Sequence, residues 1–223
     1  MAIDNINIPS TQLSFYTPAQ EGLLKSKLGE VRKTLSPVIE KMSKMSNIPA
    51  EVLTSFIFIE SGGKPNLVSS GKAVGLMQIK PEAASDVVIL EKRRGKLTPD
   101  ETSILVKKLG KDRTNAILNT KNLGDAKSQV IKQADMLDPE LNLLIGTMYL
   151  GLLMDEHNEA GKIRMDKVIT RYNRGYFIEN RGKKLEGLDV DTVLNSQPKE
   201  TKAYILKMLG NNGTLTTMIG KNK

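Results

Sequence analysis

Apolar residues recur at helical spacing along most of this chain. Leu24, Leu28, Val31 and Leu35 are spaced by fours and threes from Ala19 onward, and Pro37, which lacks an N–H and clashes with the preceding turn, predicts a break. Val38, Ile39, Met42 and Met45 begin a second stripe, its methionines placed as core filling. Pro49 suits the first turn of a helix with Val52, Leu53, Phe56 and Ile57 on its apolar face, which Gly62-Gly63 stops. Pro81 opens another through Ala83, Ala84, Val87 and Val88. Thr98-Pro99-Asp100-Glu101 is a helix start leading to Ile104, Leu105 and Leu109, with a stop at Gly110, and a further periodic piece is expected from Asp125 to Leu137.

Asp138-Pro139-Glu140 places a capping aspartate before a proline at the first helical position. The apolar positions that follow, Leu141, Leu144, Ile145, Met148 and Leu152 with others beside them, are broad enough to predict a central, buried helix. Gly146 and Gly151 lower helix propensity there, so each is expected to admit close packing of another element. Met165, Val168, Ile169 and Tyr172 share the face of a short helix closed by Gly175. Residues 178–195 read as loop and a short helix, and Pro198 starts a last helix with Tyr204, Ile205, Met208 and Leu209. No run alternates convincingly, so the fold class is predominantly α. The expected division is an N-terminal arm and helix over 1–34, a domain over 35–209 with a charged helical insertion at about 91–137, and a flexible Gly/Asn/Thr-rich tail over 210–223.

Composition narrows the chemistry. The 223 residues can bury a substantial core, and the absence of cysteine removes disulfides and thiolate metal sites. His157, the one histidine, falls in the last polar turn of the central helix, where a cation complements the dipole. With a single histidine no transition-metal site is expected, and no cofactor is implied. The formal charge of +8 favours polyanions in general, nucleic acid, acidic lipid or anionic wall polymer. Scarce aromatics and absent tryptophan argue against a base-stacking platform, so no specific nucleic-acid partner is expected. Lys92-Arg93-Arg94 reads as a solvated run. The first residues lack the pattern of a secretory signal, and no apolar run predicts a transmembrane segment.

The stretch from Val52 to Pro81 concentrates the candidate chemistry. Glu60 lies four residues beyond Phe56 and seven beyond Leu53, on the apolar face at the C-terminal end of its helix. Burial and the negative end of the helix dipole both disfavour a charged carboxylate there, which suits a general acid. An acid that reaches solvent or pairs with a lysine at a frayed helix end is the alternative. In Gly75-Leu76-Met77-Gln78-Ile79, Gly75 permits close backbone approach and Gln78 offers an amide that donates and accepts.

Taken together these motifs resemble the catalytic domain of the soluble lytic transglycosylases, a lysozyme-like family that cleaves peptidoglycan and is related in structure to goose-type lysozyme. Ile48-Pro49-Ala50 through Phe58-Ile59-Glu60-Ser61-Gly62-Gly63 looks like the family's Glu-Ser helix, and Gly75 to Pro81 like its Gly-Leu-Met-Gln motif. Asp138-Pro139-Glu140-Leu141-Asn142 with Gly146 and Tyr149-Leu150 is similar to its buried central helix. Tyr172-Asn173-Arg174-Gly175 resembles its Ala-Tyr-Asn-x-Gly motif, with Arg171 replacing the alanine, and Pro198 to Thr201 with Tyr204 resembles its closing helix. The five motifs occur in the family's order and cover roughly residues 35–209; the insertion between Ile79 and Asp138 is longer than usual.

The resemblance implies one catalytic acid, Glu60, cutting the MurNAc–GlcNAc β-1,4 bond with formation of 1,6-anhydro-MurNAc. It implies substrate contacts from Ser61, Met77, Gln78, Tyr172 and Asn173, with Glu200 and Tyr204 supporting the site from behind. The partner is then the glycan strand of peptidoglycan, met at the bacterial wall or periplasm. Without a signal pattern, a virion-borne or other non-Sec route is expected, with the N-terminal arm as a docking segment for virion or tail proteins. The alternatives are a hydrolytic lysozyme of the same fold, a non-catalytic wall-binding or structural virion protein and, on charge alone, a nucleic-acid-binding helical protein.

Overall fold

A computed structural model describes residues 5–9, 11–125, 127, 129–175 and 185–220. In chain order its elements are β1 (Ile6–Asn7), α1 (Pro18–Thr34), α2 (Ser36–Ser46), α3 (Ala50–Ser61), α4 (Pro81–Arg93), α5 (Pro99–Leu109) and α6 (Lys111–Leu118). There follow a 3-10 turn (Asp135–Leu137), α7 (Pro139–Glu156), β2 (Asn158–Glu159), β3 (Lys162–Arg164), α8 (Met165–Arg174), α9 (Val190–Asn195), α10 (Lys199–Leu209) and α11 (Thr214–Ile219). The chain is predominantly α, as its periodicity predicts. It divides into two compact units, Met1–Thr34, Asn47–Ile59 and Leu150–Lys223 forming one, Leu35–Ser46 and Glu60–Tyr149 the other.

In the first unit α10 packs on α8 and α11, and α1 also meets α11. Leu24, Leu28 and Val31 of α1, Val168 and Ile169 of α8, and Ile205, Met208 and Leu209 of α10 are buried. The small sheet has the order β1-β3-β2. β2 and β3 pair antiparallel across Ala160-Gly161, both at positive φ as a two-residue hairpin requires, while β1 runs parallel to β3 with Ile6 opposite Ile163. Two departures from the sequence expectation fall here. Residues 5–9 are not a free arm, because β1 joins the sheet and Ile6 and Ile8 are buried. The tail is not wholly flexible, because Thr214–Ile219 forms α11 and Leu215 is fully buried. Residues 178–184 of the expected loop, like 221–223, lie outside the described residues, and Val190–Asn195 is the short helix, its N-terminus capped by Asp189.

In the second unit α6 packs between α4 and α5. Thr98 and Glu101 form a capping box at the start of α5: the Glu101 N–H donates to Thr98 Oγ1 (3.2 Å), and the Thr98 N–H to Glu101 Oε2 (2.8 Å). Gly110, at φ 84°, stops α5 as expected, but α6 starts at once with Lys111. Among the described residues of the helix expected from Asp125 to Leu137, 129–134 are irregular and only the 3-10 turn follows. Side chains hold that backbone: Asp86 accepts from the Gly124 N–H and from Gln129, and Arg113 binds the Val130 carbonyl and the Asp135 carboxylate. Such partners offer the segment an alternative to helical bonds. Lys92 and Arg93 are exposed, as a solvated run predicts, and reach the carbonyls of Leu118 and Lys121.

The start of α7 ties three helices of this unit. Asp138 Oδ1 accepts the Leu141 N–H at 2.9 Å, Lys108 of α5 lies 2.7 Å from Asp138 and 3.0 Å from Glu140, and Lys41 of α2 lies 2.6 Å from Glu140. Hydrogen bonds from Lys41 and Lys108 hold the Glu140 carboxyl down at about 2.

Candidate active site

α3 delivers Glu60 as its penultimate residue. Val52, Leu53, Thr54, Ser55, Phe56 and Ile57 are all fully buried, so this helix is enclosed on every side along its middle and emerges only at its end. Glu60 is half-buried there, and Gly62 (φ 61°) and Gly63 (φ 80°) turn the chain out of the helix through conformations that favour glycine.

The chain then forms a tight loop stitched to itself. Val74 and Ile79 exchange backbone hydrogen bonds at 3.2 Å each, enclosing Gly75 to Gln78, and the Gly75 N–H donates to the Leu67 carbonyl at 2.8 Å. The Ser61 hydroxyl donates to the Leu76 carbonyl at 2.9 Å, so the residue after Glu60 is bonded directly to this loop. Ser61 is buried and also accepts the Gly63 N–H, which makes it a link between helix end and loop. The structure thus brings together Ser61 and the Gly-Leu-Met-Gln segment, next to Glu60 in sequence.

Gln78 sits at φ 48°, where a residue with a Cβ is disfavoured by about 1–2 kcal/mol. Its own amide compensates locally: Nε2 donates to the Gly75 carbonyl at 2.8 Å and to the Leu67 carbonyl at 3.1 Å. The half-buried side chain therefore presents its oxygen as the group not engaged in these bonds. Met77 is fully buried, and its N–H donates to Asn142 Oδ1 at 2.8 Å. Met77 was expected to line the sugar pocket; with no exposed surface and a committed N–H, it shapes the loop from beneath.

Asn142 is the residue that spacing did not single out. It is fully buried in the first turns of α7, and its Nδ2 donates to the Val74 carbonyl (2.8 Å) and the Met136 carbonyl (2.9 Å). An amide set among Leu141, Leu143 and Leu144 was the available signal. Gly146, one turn on, admits close packing as its propensity suggested, since a Cβ there would lie 2.6 Å from Met77 Cγ. Gly151 does not serve that purpose, as its Cβ position meets open space.

Tyr172, Asn173, Glu200 and Tyr204 belong to the first unit, whereas Glu60, Ser61, Met77 and Gln78 belong to the second. Tyr172 is buried on α8 with its ring centroid 4.8 Å from that of Phe56, tilted by 56°. Asn173 and Tyr204 are half-buried. Glu200 is exposed in the first turn of α10, where a carboxylate complements the positive end of the helix. A cavity of about 500 Å³ in the first unit is lined by Arg171 and Arg174 with Leu185, Leu188, Ser196 and others, and none of the eight expected site residues lines it.

His157 differs from expectation in charge. It is 4% exposed, and burial first, then Arg171 and Lys167, lower its pKa to about 4, so it is neutral at pH 7 and no partner of the helix dipole. Among the described residues no group of three His, Cys, Asp or Glu side chains is placed to hold a metal ion, and no helix is long and apolar enough to cross a membrane.

Comparison with known proteins adds an independent line. Residues 37–106 match the transglycosylase SLT domain. The chain is 29% identical over 119 residues to membrane-bound lytic murein transglycosylase E of Buchnera aphidicola subsp. Baizongia pistaciae, covering 53% of this chain and 41% of that protein. It is 46% identical over 48 residues to endo-type membrane-bound lytic murein transglycosylase A of Enterobacter sp. (strain 638), covering 22% and 24% respectively. The protein of that name from Salmonella paratyphi B is 39% identical over 66 residues, covering 29% and 32%. The chain thus spans less than half the length of these curated relatives.

Proposed function

We propose that this chain, which carries a lysozyme-like transglycosylase SLT domain with the family match over residues 37–106, cleaves peptidoglycan glycan strands as a lytic transglycosylase. The observation that carries the proposal is the pairing of motifs in the second unit. Glu60 ends an enclosed helix, and the next residue, Ser61, is bonded at 2.9 Å to the Gly-Leu-Met-Gln loop. The family match includes both motifs.

In the proposed reaction protonated Glu60 gives its proton to the glycosidic oxygen that joins MurNAc C1 to GlcNAc C4, and the bond from C1 to that oxygen breaks. The N-acetyl oxygen of the same MurNAc bonds to C1 and carries the developing positive charge. The Glu60 carboxylate then takes the proton of the C6 hydroxyl as O6 attacks C1 and displaces the N-acetyl oxygen. The product is 1,6-anhydro-MurNAc, with Glu60 protonated again and no water consumed. One carboxyl serves both steps, in contrast to the paired carboxylates of most glycosidases. In this scheme the Gln78 side-chain oxygen accepts from the N-acetyl N–H.

Mass spectrometry of the products tests the proposal. Intact murein sacculi treated with the protein should release muropeptides ending in 1,6-anhydro-MurNAc; reducing ends alone would mean hydrolysis by a lysozyme of the same fold. Removing a general acid typically lowers the rate by about 10²–10⁴-fold, so Glu60→Gln should keep the fold and lose measurable release. Full lysis by a folded Glu60→Gln protein would overturn the assignment. The bacterial wall or periplasm is the proposed site of action. Virion-borne delivery is the finer proposal, and absence of the protein from purified particles would remove it.

A further inference from the structure

We propose that Asn142 is a positioning residue for this reaction, one amide that locks the Gly-Leu-Met-Gln loop to the first turns of α7 and to the end of the charged insertion. The activity arm of the argument rests on the function proposed above; the anchoring arm stands on geometry alone.

Three segments meet at this side chain. Oδ1 accepts the Met77 N–H at 2.8 Å, and Nδ2 donates to the carbonyls of Val74 at 2.8 Å and Met136 at 2.9 Å. The partner of Oδ1 is a donor and both partners of Nδ2 are acceptors, so only one orientation of the amide satisfies all three. A buried polar side chain is tolerated where its bonds are made, and here they are. The loop is shaped for this approach. A Cβ on Gly75, which has φ 77°, would lie 2.3 Å from Asn142 Nδ2 and 2.6 Å from the Met136 carbonyl oxygen. Four residues along the same face of α7, Gly146 leaves room for the Met77 side chain, where a Cβ would come within 2.6 Å of Cγ. Asn142 thus holds the backbone of Met77 while Gly146 seats its side chain. With Met77 fixed, Gln78 follows at φ 48° with its amide folded onto Gly75 and Leu67. The Met136 carbonyl belongs to the 3-10 turn that ends the insertion, so the placement of that segment and the presentation of Gln78 depend on the same side chain.

A residue that merely stabilises the core would, when replaced, lower stability without selectively opening this loop. A positioning residue opens the loop and lowers turnover in a protein that remains folded. Asn142→Leu and Asn142→Asp separate the contributions, because aspartate keeps an acceptor for the Met77 N–H and loses both donors. Amide hydrogen exchange, resolved by residue and run beside thermal melting, should show the Met77 N–H exchanging about 10- to 100-fold faster in Asn142→Leu, a range typical of a lost buried hydrogen bond. Exchange in α4 and α5 should be unchanged, and Asn142→Asp should retain more of the Met77 protection than Asn142→Leu. On soluble glycan fragments the same variants should lose kcat by about tenfold or more, with KM changed far less. Wild-type exchange at Met77 in a folded Asn142→Leu protein overturns the anchoring. Faster exchange with undiminished kcat overturns the positioning role. A wild-type protein that cleaves no glycan refutes the proposed function instead, and the exchange measurement still decides the anchoring. Should Asn142→Leu not fold, Asn142→Asp with Gly75→Ala carries the same comparison, since Gly75→Ala crowds the amide from the loop side.

Discussion

Replacing His157 with leucine should change how stability responds to acid, in a direction opposite to that expected from a histidine at a helix end. His157 follows the last turn of α7, its backbone N–H donating to the Leu153 carbonyl and its backbone carbonyl accepting the Arg164 N–H at 3.0 Å. A cation there would gain about 0.3–1 kcal/mol from the helix dipole. Burial, with Arg171, Lys167 and Arg164 nearby and Glu159 opposing them, outweighs that gain and lowers the pKa from 6.5 to about 4. Its Nε2 has no hydrogen-bond partner among the described residues, so nothing there compensates a bound proton. The folded pKa therefore lies below the unfolded one. Above the unfolded value both states are neutral and His157 adds no pH dependence. As the pH falls through the window from 6.5 to 4, the unfolded chain binds the proton first and stability drops. At 1.36 kcal/mol per unit the whole window amounts to roughly 3 kcal/mol, and about 2 kcal/mol of it falls between about pH 7 and pH 5.

Two measurements check this. Urea unfolding of wild type and His157→Leu at the two pH values should show the difference between them moving by about 2 kcal/mol in favour of leucine at the lower pH. Background carboxylates titrate in both proteins and largely cancel in the difference. Since His157 is the chain's one histidine, its ring resonances in NMR are unambiguous, and their midpoint should lie well below 6. A midpoint at or above the ordinary value, or parallel pH profiles for the two proteins, would refute the burial argument.

Lys108→Met should raise the Glu140 pKa from about 2 toward the ordinary 4.5, because one of its two lysine partners is lost; carboxyl-carbon NMR reads the shift, and an unmoved value would exclude Lys108 as a cause. The stability Glu140 contributes is present above 4.5 and lost as pH falls toward 2, so the variant should lose less stability than wild type on acidification across that window. Gly146→Val should destabilise by about 1–3 kcal/mol through overpacking against Met77, read by urea unfolding, and wild-type stability would mean that Met77 can move aside at little cost.

Helix starts and stops were legible wherever a capping chemistry marked them. Thr98 with Glu101, Asp138 with Pro139, and glycines 62 and 110 act as their residue types predict. The elements missed are those whose stability comes from elsewhere in the chain. β1 has two residues and β3 three, too short to show a period of two, and they exist because they pair with each other and bury Ile6 and Ile163. α11 offers one fully buried leucine in a Gly/Asn/Thr-rich stretch, and packing on α1 and α10 rather than propensity settles it. α6 has little apolar periodicity of its own and forms between α4 and α5. Lys167, fully buried and paired with Glu159 of β2, is likewise invisible to a rule that turns lysines outward.

The candidate site divides along the same physical line. Residue types told where chemistry could sit, but not which groups the fold had already engaged. A glutamine reads as a donor and acceptor available to a sugar, yet both donor bonds of Gln78 run to carbonyls of its own loop, so the chemistry it can offer a ligand is that of an oxygen. A methionine beside it reads as pocket lining, yet Met77 is sealed between Gly146 and the Asn142 amide and acts through the backbone it holds. The second correction goes with the close approach of Gly75 to α7, and the long-range partner there could not be deduced from local spacing. An acid at a helix end is legible because its helix is local; the loop bonded to the residue after it is held by a buried asparagine 65 residues away from Met77 in the chain.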